Sequence, residues 1–181
     1  MSFGEAIKSV FSKYATFSGR ARRSEYWYFY LFTFLVSLAL NCIPFISALS
    51  FVWSLAILIP SIAVTVRRFH DIGKSGWNYL IIAIPELFLI GYLINFIFHV
   101  IKEMIDGGFR FYNIIDSVEA VFDNIMLHGS ELHTLGILAF IYLAVIILWL
   151  IWMTRDSQPG ENKWGPNPKE VQSENNSGMN Y

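Results

Sequence analysis

The stretch Leu135–Met153 reads LGILAFIYLAVIILWLIWM and holds no Asp, Glu, Lys or Arg. A helix on the outside of a soluble core carries one apolar stripe. This run is apolar all round for about five turns, which places it in lipid. At ~1.5 Å per residue it crosses the ~30 Å hydrocarbon layer. Three further runs of the same kind lie upstream, roughly Tyr26–Pro44, Phe45–Val66 and Trp77–Ile101. The first has no Asp, Glu, Lys or Arg after Glu25, and the second has none before Arg67. The expected fold is therefore all-α: a polytopic membrane protein with spans near 26–44, 45–66, 77–101 and 135–153.

Composition points the same way. The chain of 181 residues is 55% hydrophobic and 17% aromatic with only 15% charged, where a soluble domain carries about a quarter charged. A net charge of -1 decides nothing, but its distribution does. Residues 1–25 carry Lys8, Lys13, Arg20, Arg22 and Arg23 against Glu5 and Glu25. Arg67, Arg68 and Lys74 face Asp71 between the second and third runs, and Arg155, Lys163 and Lys169 follow the fourth. Segment 102–134 is acidic, with Glu103, Asp106, Asp116, Glu119, Asp123 and Glu131 against Lys102 and Arg110. Lys and Arg in short connections stay on the cytoplasmic side. Both termini and the loop after Val66 are thus expected in the cytoplasm, and 102–134 outside. Aromatic residues at Tyr26–Tyr30, Trp77 with Tyr79, and Trp149 with Trp152 mark one headgroup level and support that topology.

The membrane domain, 26–153, has polar flanks. Residues 1–25 read as a basic amphipathic helix, with Phe3, Ile7, Val10, Phe11 and Tyr14 at helical spacing. That stripe suits either the lipid interface or the protein's own loops. In the outer segment, Ile114, Ile115, Val118, Val121, Phe122, Ile125 and Met126 share a face, so a second amphipathic helix is expected over 114–128. Pro60 predicts a kink in the second run. The tail, 154–181, is expected to be disordered after about 168. Cys42 is the single cysteine, so no internal disulfide forms. Residues 20–42 are too long for a signal h-region, and Asn41 spoils the cleavage position. Asn175-Asn176-Ser177 is a sequon on the wrong side of the membrane.

Three short segments stand out, all expected on the cytoplasmic face. They are Gly19-Arg20-Ala21-Arg22-Arg23-Ser24-Glu25-Tyr26-Trp27, Arg67-Arg68-Phe69-His70-Asp71 leading to Trp77, and Pro159-Gly160-Glu161-Asn162 leading to Gly165-Pro166-Asn167-Pro168. In this order the chain resembles the small bacterial inner-membrane proteins grouped as domain of unknown function 805. The resemblance runs from about Tyr14 to Pro168. It implies a multi-pass protein of the bacterial cytoplasmic (inner) membrane, and brings no activity, cofactor or catalytic residue with it. One departure is large. The family runs almost directly from a segment like Ile84-Pro85 to the tail through one modest apolar stretch, whereas this chain carries extra sequence between Glu86 and Leu148.

The same segments hold the candidate site. Arg20, Arg22, Arg23, Arg67 and Arg68 offer planar donors suited to phosphate oxygens, with Lys74, Trp27 and Trp77 beside them at the headgroup level. The functional reading is a site for anionic lipid or for a protein partner, either a second copy of this chain in a homo-oligomer or another membrane protein. The plainer reading is that these arginines orient the protein and pair with Glu25 and Asp71. Interleaved aromatics also suit single-stranded nucleic acid, but the interface already requires those rings, so no nucleic acid is expected. His70 beside Asp71 lacks a third ligand at metal spacing, and a structural hydrogen bond is the simpler role. His128 and His133 make only a weak metal signal, and no metal or cofactor is expected. Lys74-Ser75 lacks the upstream glycines of a phosphate loop. Glu86 is different, since a carboxylate inside a span costs a few kcal/mol unless paired, protonated or wet. It marks either a transporter or channel subunit, or one hydrogen bond to a neighbouring span or a helix break at Pro85. No nucleophile–base pair or metal set is visible, so the chain is expected to be a non-enzymatic scaffold.

Overall fold

Polar segments interrupt the apolar runs, and the helices end where they do. The computed structural model describes residues 1–42, 47–106 and 129–171. Its α-helices are α1 (Phe3–Ser12), α2 (Arg23–Asn41), α3 (Ser47–Asp71), α4 (Leu80–Asp106) and α5 (Gly129–Thr154), with a 3-10 turn at Gly76–Tyr79 ahead of α4. Among the described residues there is no extended strand, only an isolated bridge between Asn162 and Gly165. The helix expected over 114–128 and the tail beyond 171 lie outside the described residues.

Among the described residues, three helical stretches are long and apolar enough to cross a membrane: Leu49–Asp71, Gly76–Lys102 and Leu132–Thr154. The count of four expected from the sequence is therefore met by three. The remaining run, α2, falls short because it opens on Arg23, Ser24 and Glu25 and carries Thr33, Ser37 and Asn41. Its polar side chains are used within the fold. The Tyr30 hydroxyl bonds Thr65 Oγ1 at 3.1 Å, Trp53 Nε1 donates to Ser37 Oγ at 3.2 Å, and Thr33 donates to the Tyr30 carbonyl. Hydrogen bonds of this kind hold helices together where lipid gives no hydrophobic incentive.

The chain divides into two units. One comprises Met1–Tyr79 and the chain from Leu150 onward, and the other comprises Leu80–Trp149. In the first, α1 begins with a capping box, in which the Ser2 hydroxyl accepts from Glu5 N–H and the Glu5 carboxylate accepts from Ser2 N–H. The stripe foreseen for α1 packs on α2 rather than on loops. Ala6 and Val10 are buried, Phe3 meets Tyr28 edge-on, and Phe11 meets Phe29 and Phe32. Beyond α1, the Tyr14 hydroxyl donates to the carbonyl of Ala56. That carbonyl lies four residues before Pro60, which has no N–H to give it. Tyr14 thus satisfies the acceptor that the proline leaves bare.

The end of α3 is a Schellman turn. Lys74 N–H reaches the Phe69 carbonyl at 2.8 Å, and Gly73 N–H reaches that of His70 at 3.1 Å. Gly73 sits at φ +77°, a conformation that favours glycine, and a Cβ there would also displace the Gln158 amide, whose Oε1 lies 2.7 Å away. In the second unit, α4 runs unbroken through Pro85. Leu87, Phe88 and Phe98 on α4 and Phe140 on α5 are each about two-thirds exposed or more.

Candidate functional site: a buried arginine and carboxylate cluster

The last turn of α3 carries Arg67, Arg68, His70 and Asp71, and its side chains turn inward. Arg67 is 1% exposed, and Arg68 and Asp71 are fully buried. Asp71 is the hub. Its Oδ1 accepts from Arg20 Nε at 3.1 Å, and its Oδ2 accepts from Arg68 Nη1 and from Ser157 Oγ at 2.7 Å. Arg67 Nη1 bonds Glu25 Oε1 at 2.9 Å, and that oxygen also accepts from Ser9 Oγ of α1 at 3.1 Å. Both carboxylates hold ion pairs out of water, where losing one partner costs far more than it would at the surface.

The remaining arginine donors fasten the C-terminal segment. Arg20 Nη1 donates to the carbonyls of Gly160 at 2.7 Å and Gly165 at 3.3 Å, and Nη2 donates to that of Gln158. Arg68 Nη2 donates to the carbonyls of Met153 and Arg155. Gln158 N–H returns a bond to the Asp71 carbonyl at 2.8 Å, and Asn162 Nδ2 donates to that of His70 at 3.0 Å. His70 Nδ1–H donates to the Gly19 carbonyl at 3.1 Å, and the ring stacks on Trp164 at 4.4 Å and 9°. Lys163 lies over the far side of that pair, 4.2 Å from the Trp164 centroid. His70 thus acts as a structural donor in the last turn of α3 rather than in a loop, and its partner is a backbone carbonyl rather than a carboxylate.

The structure divides the residues singled out in the sequence. Arg20, Arg67, Arg68, Glu25, His70 and Asp71 come together in the cluster. Arg22 is half-buried as the N-cap of α2, and Trp27 stands half-buried against Tyr26. Arg23 is nearer the surface, donating to the Thr154 carbonyl and pairing with Asp156 at 3.3 Å. Lys74 is half-buried with its ammonium 4.6 Å from the Trp152 ring, while Trp77 is 79% exposed. Glu86 stands apart in the second unit, half-buried on α4. Among the described residues no group of three or more His, Cys, Asp or Glu could hold a metal ion.

The three segments that make this cluster are those whose order carries the family resemblance, and a family model described as protein of unknown function DUF805 matches residues 14–166. This chain belongs to the DUF805 family. Inner membrane protein YhaI of Escherichia coli K12 is 39% identical over 110 residues, covering 90% of that protein and 58% of this chain. Inner membrane protein YhaH of the same organism is 36% identical over 99 residues, covering 79% of it and 50% of this chain. No solved structure matches. Both DUF805 relatives are largely covered by alignments that reach little more than half of this chain, so this member is longer.

Several residues of the DUF805 cluster escape a reading by residue chemistry. Ser157, Gln158 and Asn162 carry no charge and were visible only as neighbours or members of the Pro-Gly-Glu-Asn tail. Tyr14 was visible only as one residue of an apolar stripe. The usable signal is an arithmetic one: the five arginines of the first and second segments exceed their two acids, Glu25 and Asp71, so some of the donors must find carbonyls.

Proposed function

We propose that this chain is a non-enzymatic, four-span protein of the bacterial inner membrane, with both termini cytoplasmic. In this reading α2 is the fourth span, crossing beside α3 with its polar side chains turned toward it. The cytoplasmic segments form a folded cap, and its outward residues hold anionic lipid. The observation that carries this is the split among the basic and aromatic residues. Arg20, Arg67 and Arg68 are buried inside, whereas Trp77 is 79% exposed, three residues after Lys74 and three before the start of α4. An exposed indole next to a lysine at the foot of an apolar helix suits the headgroup layer, with each basic residue worth about 1 kcal/mol near an anionic surface. Arg23 and the α1 residue Lys8 add to the same charge.

Native mass spectrometry of the full chain from mild detergent tests this. The variant Lys74→Ala/Trp77→Ala should retain several-fold less phosphatidylglycerol than the parent. Equal retention would overturn the lipid-facing role. The competing transporter reading predicts that Glu86→Gln abolishes a proton or cation flux in proteoliposomes. The scaffold reading predicts no flux in either protein.

A further inference from the structure

Charge does not balance within the cluster. Among the described residues, the buried ionisable side chains that carry full charge are Arg20, Arg67 and Arg68 against Glu25 and Asp71. The excess positive charge falls at Asp71, which receives both Arg20 and Arg68, whereas Arg67 is matched by Glu25 and leaves over donors instead. Asp71 receives Arg20 and Arg68, whose other donors end on carbonyls. Arg67 gives only Nη1 to Glu25; its Nε and Nη2 are buried without an acceptor. Those two nitrogens form the side-on edge of the guanidinium, with parallel N–H groups spaced for two oxygens of one oxyanion.

The edge lies at the start of α2. The Arg67 carbonyl accepts from Ala21 N–H at 3.0 Å, just ahead of the helix, and Nη1 ends on Glu25 in its first turn. No side chain caps this N-terminus. Ser24 Oγ, also in the first turn, is buried and has no hydrogen-bond partner. An unpartnered bidentate edge on the arginine that pairs with Glu25, an unpartnered hydroxyl on the residue next to Glu25 and the positive end of the α2 dipole all favour an anion.

The geometry points to a phosphate-binding site at the N-terminus of α2, in which Arg67 Nε and Nη2 and Ser24 Oγ hold the oxygens of one phosphate group. Phospholipid headgroups and soluble phosphate share that chemistry. The site deepens the lipid-facing role and rests on it only for the source of the phosphate. Entry requires α1 to lift, since Ser9 bridges α1 to Glu25.

The test uses the full chain in mild detergent, with thermal unfolding followed during titration of dioctanoyl-phosphatidylglycerol, dioctanoylglycerol or inorganic phosphate. The parent should be stabilised by the first and not by the second. Stabilisation by inorganic phosphate as well assigns the site to the phosphate group alone; stabilisation by the lipid only assigns it to a headgroup. Ser24→Ala should weaken the apparent affinity roughly tenfold, one hydrogen bond to a charged group. Arg67→Lys, which keeps the charge and loses the edge, should abolish the shift. If Arg67→Lys fails to fold, Ser24→Ala decides. No shift in the parent with either phosphate-bearing probe, or an unchanged affinity in Ser24→Ala, overturns the site. Loss of lipid retention in Lys74→Ala/Trp77→Ala beside an unchanged affinity in Ser24→Ala would leave the surface role standing and remove this one.

Discussion

The two units of this chain are built by opposite means. The first, with all three family segments, is held by directed polar contacts: ion pairs on Asp71 and Glu25, arginine donors on tail carbonyls, and a ring stack. The second, Leu80–Trp149, coincides almost completely with the extra sequence foreseen between Glu86 and Leu148, and its described residues belong to two apolar helices with many exposed side chains. The lesson is about what can be added cheaply. Apolar helices need only lipid around them, so they can be added without disturbing a polar cap whose contacts must each be made.

The sharpest way to break that contrast is Asp71→Ala. Removing the hub strands two buried guanidiniums, and a loss of about 3–5 kcal/mol is expected in detergent unfolding followed by tryptophan fluorescence. An unchanged midpoint would mean that the cluster is ornamental. Next comes a matched pair of phenylalanines. Phe29→Ala, at a fully buried position under Phe11, should cost about 3 kcal/mol, while Phe140→Ala, 73% exposed, should stay within roughly 0.5 kcal/mol. Equal costs would erase the distinction between the units.

The distinction was partly legible beforehand. Apolar runs without charges reveal helices in lipid, because period and length suffice for that, and α3, α4 and α5 fall close to the expected bounds. Side-chain direction was harder. Arg67 and Arg68 read either as part of a lipid or partner site or, more plainly, as partners of Glu25 and Asp71, because the decision rests on long-range partners such as Ser157 and Gln158. Their chain separation from Asp71 hides them from any local pattern. The status of α2 was obscured for a related reason: its serines and threonines lower its apolarity, and their use against α3 shows only in three dimensions.

Smaller tests sharpen the account of the cap. Trp164→Ala removes the stack on His70 and the seat for Lys163, with an expected cost of about 1 kcal/mol and faster proteolysis after Met153. Proteolysis at the parental rate would show that the stack does not hold the tail. Smallest is a pH effect. The hydrogen bond from Lys169, then that from Ser157 N–H, holds the Asp156 carboxyl below its ordinary range. A depressed carboxyl contributes at pH values above its unfolded pKa of about 4, and that contribution fades as pH falls through the folded value. Tail protection should therefore decline slightly in acid, and the decline should be shallower in Asp156→Asn. Because Asp156 is exposed, added salt should shrink the effect. A decline of equal slope in both proteins would assign it to other groups.

Arg20 binds carbonyls 138, 140 and 145 residues further along the chain. At a synthesis rate of about 5–20 residues per second, that interval lasts on the order of ten seconds. Throughout it the nascent protein holds helices already in the bilayer while its arginine side chains wait, hydrated, for a tail still inside the ribosome. The cap is consequently the last part to form, and a ribosome that stops short of Gln158 releases a product whose inner face stays open.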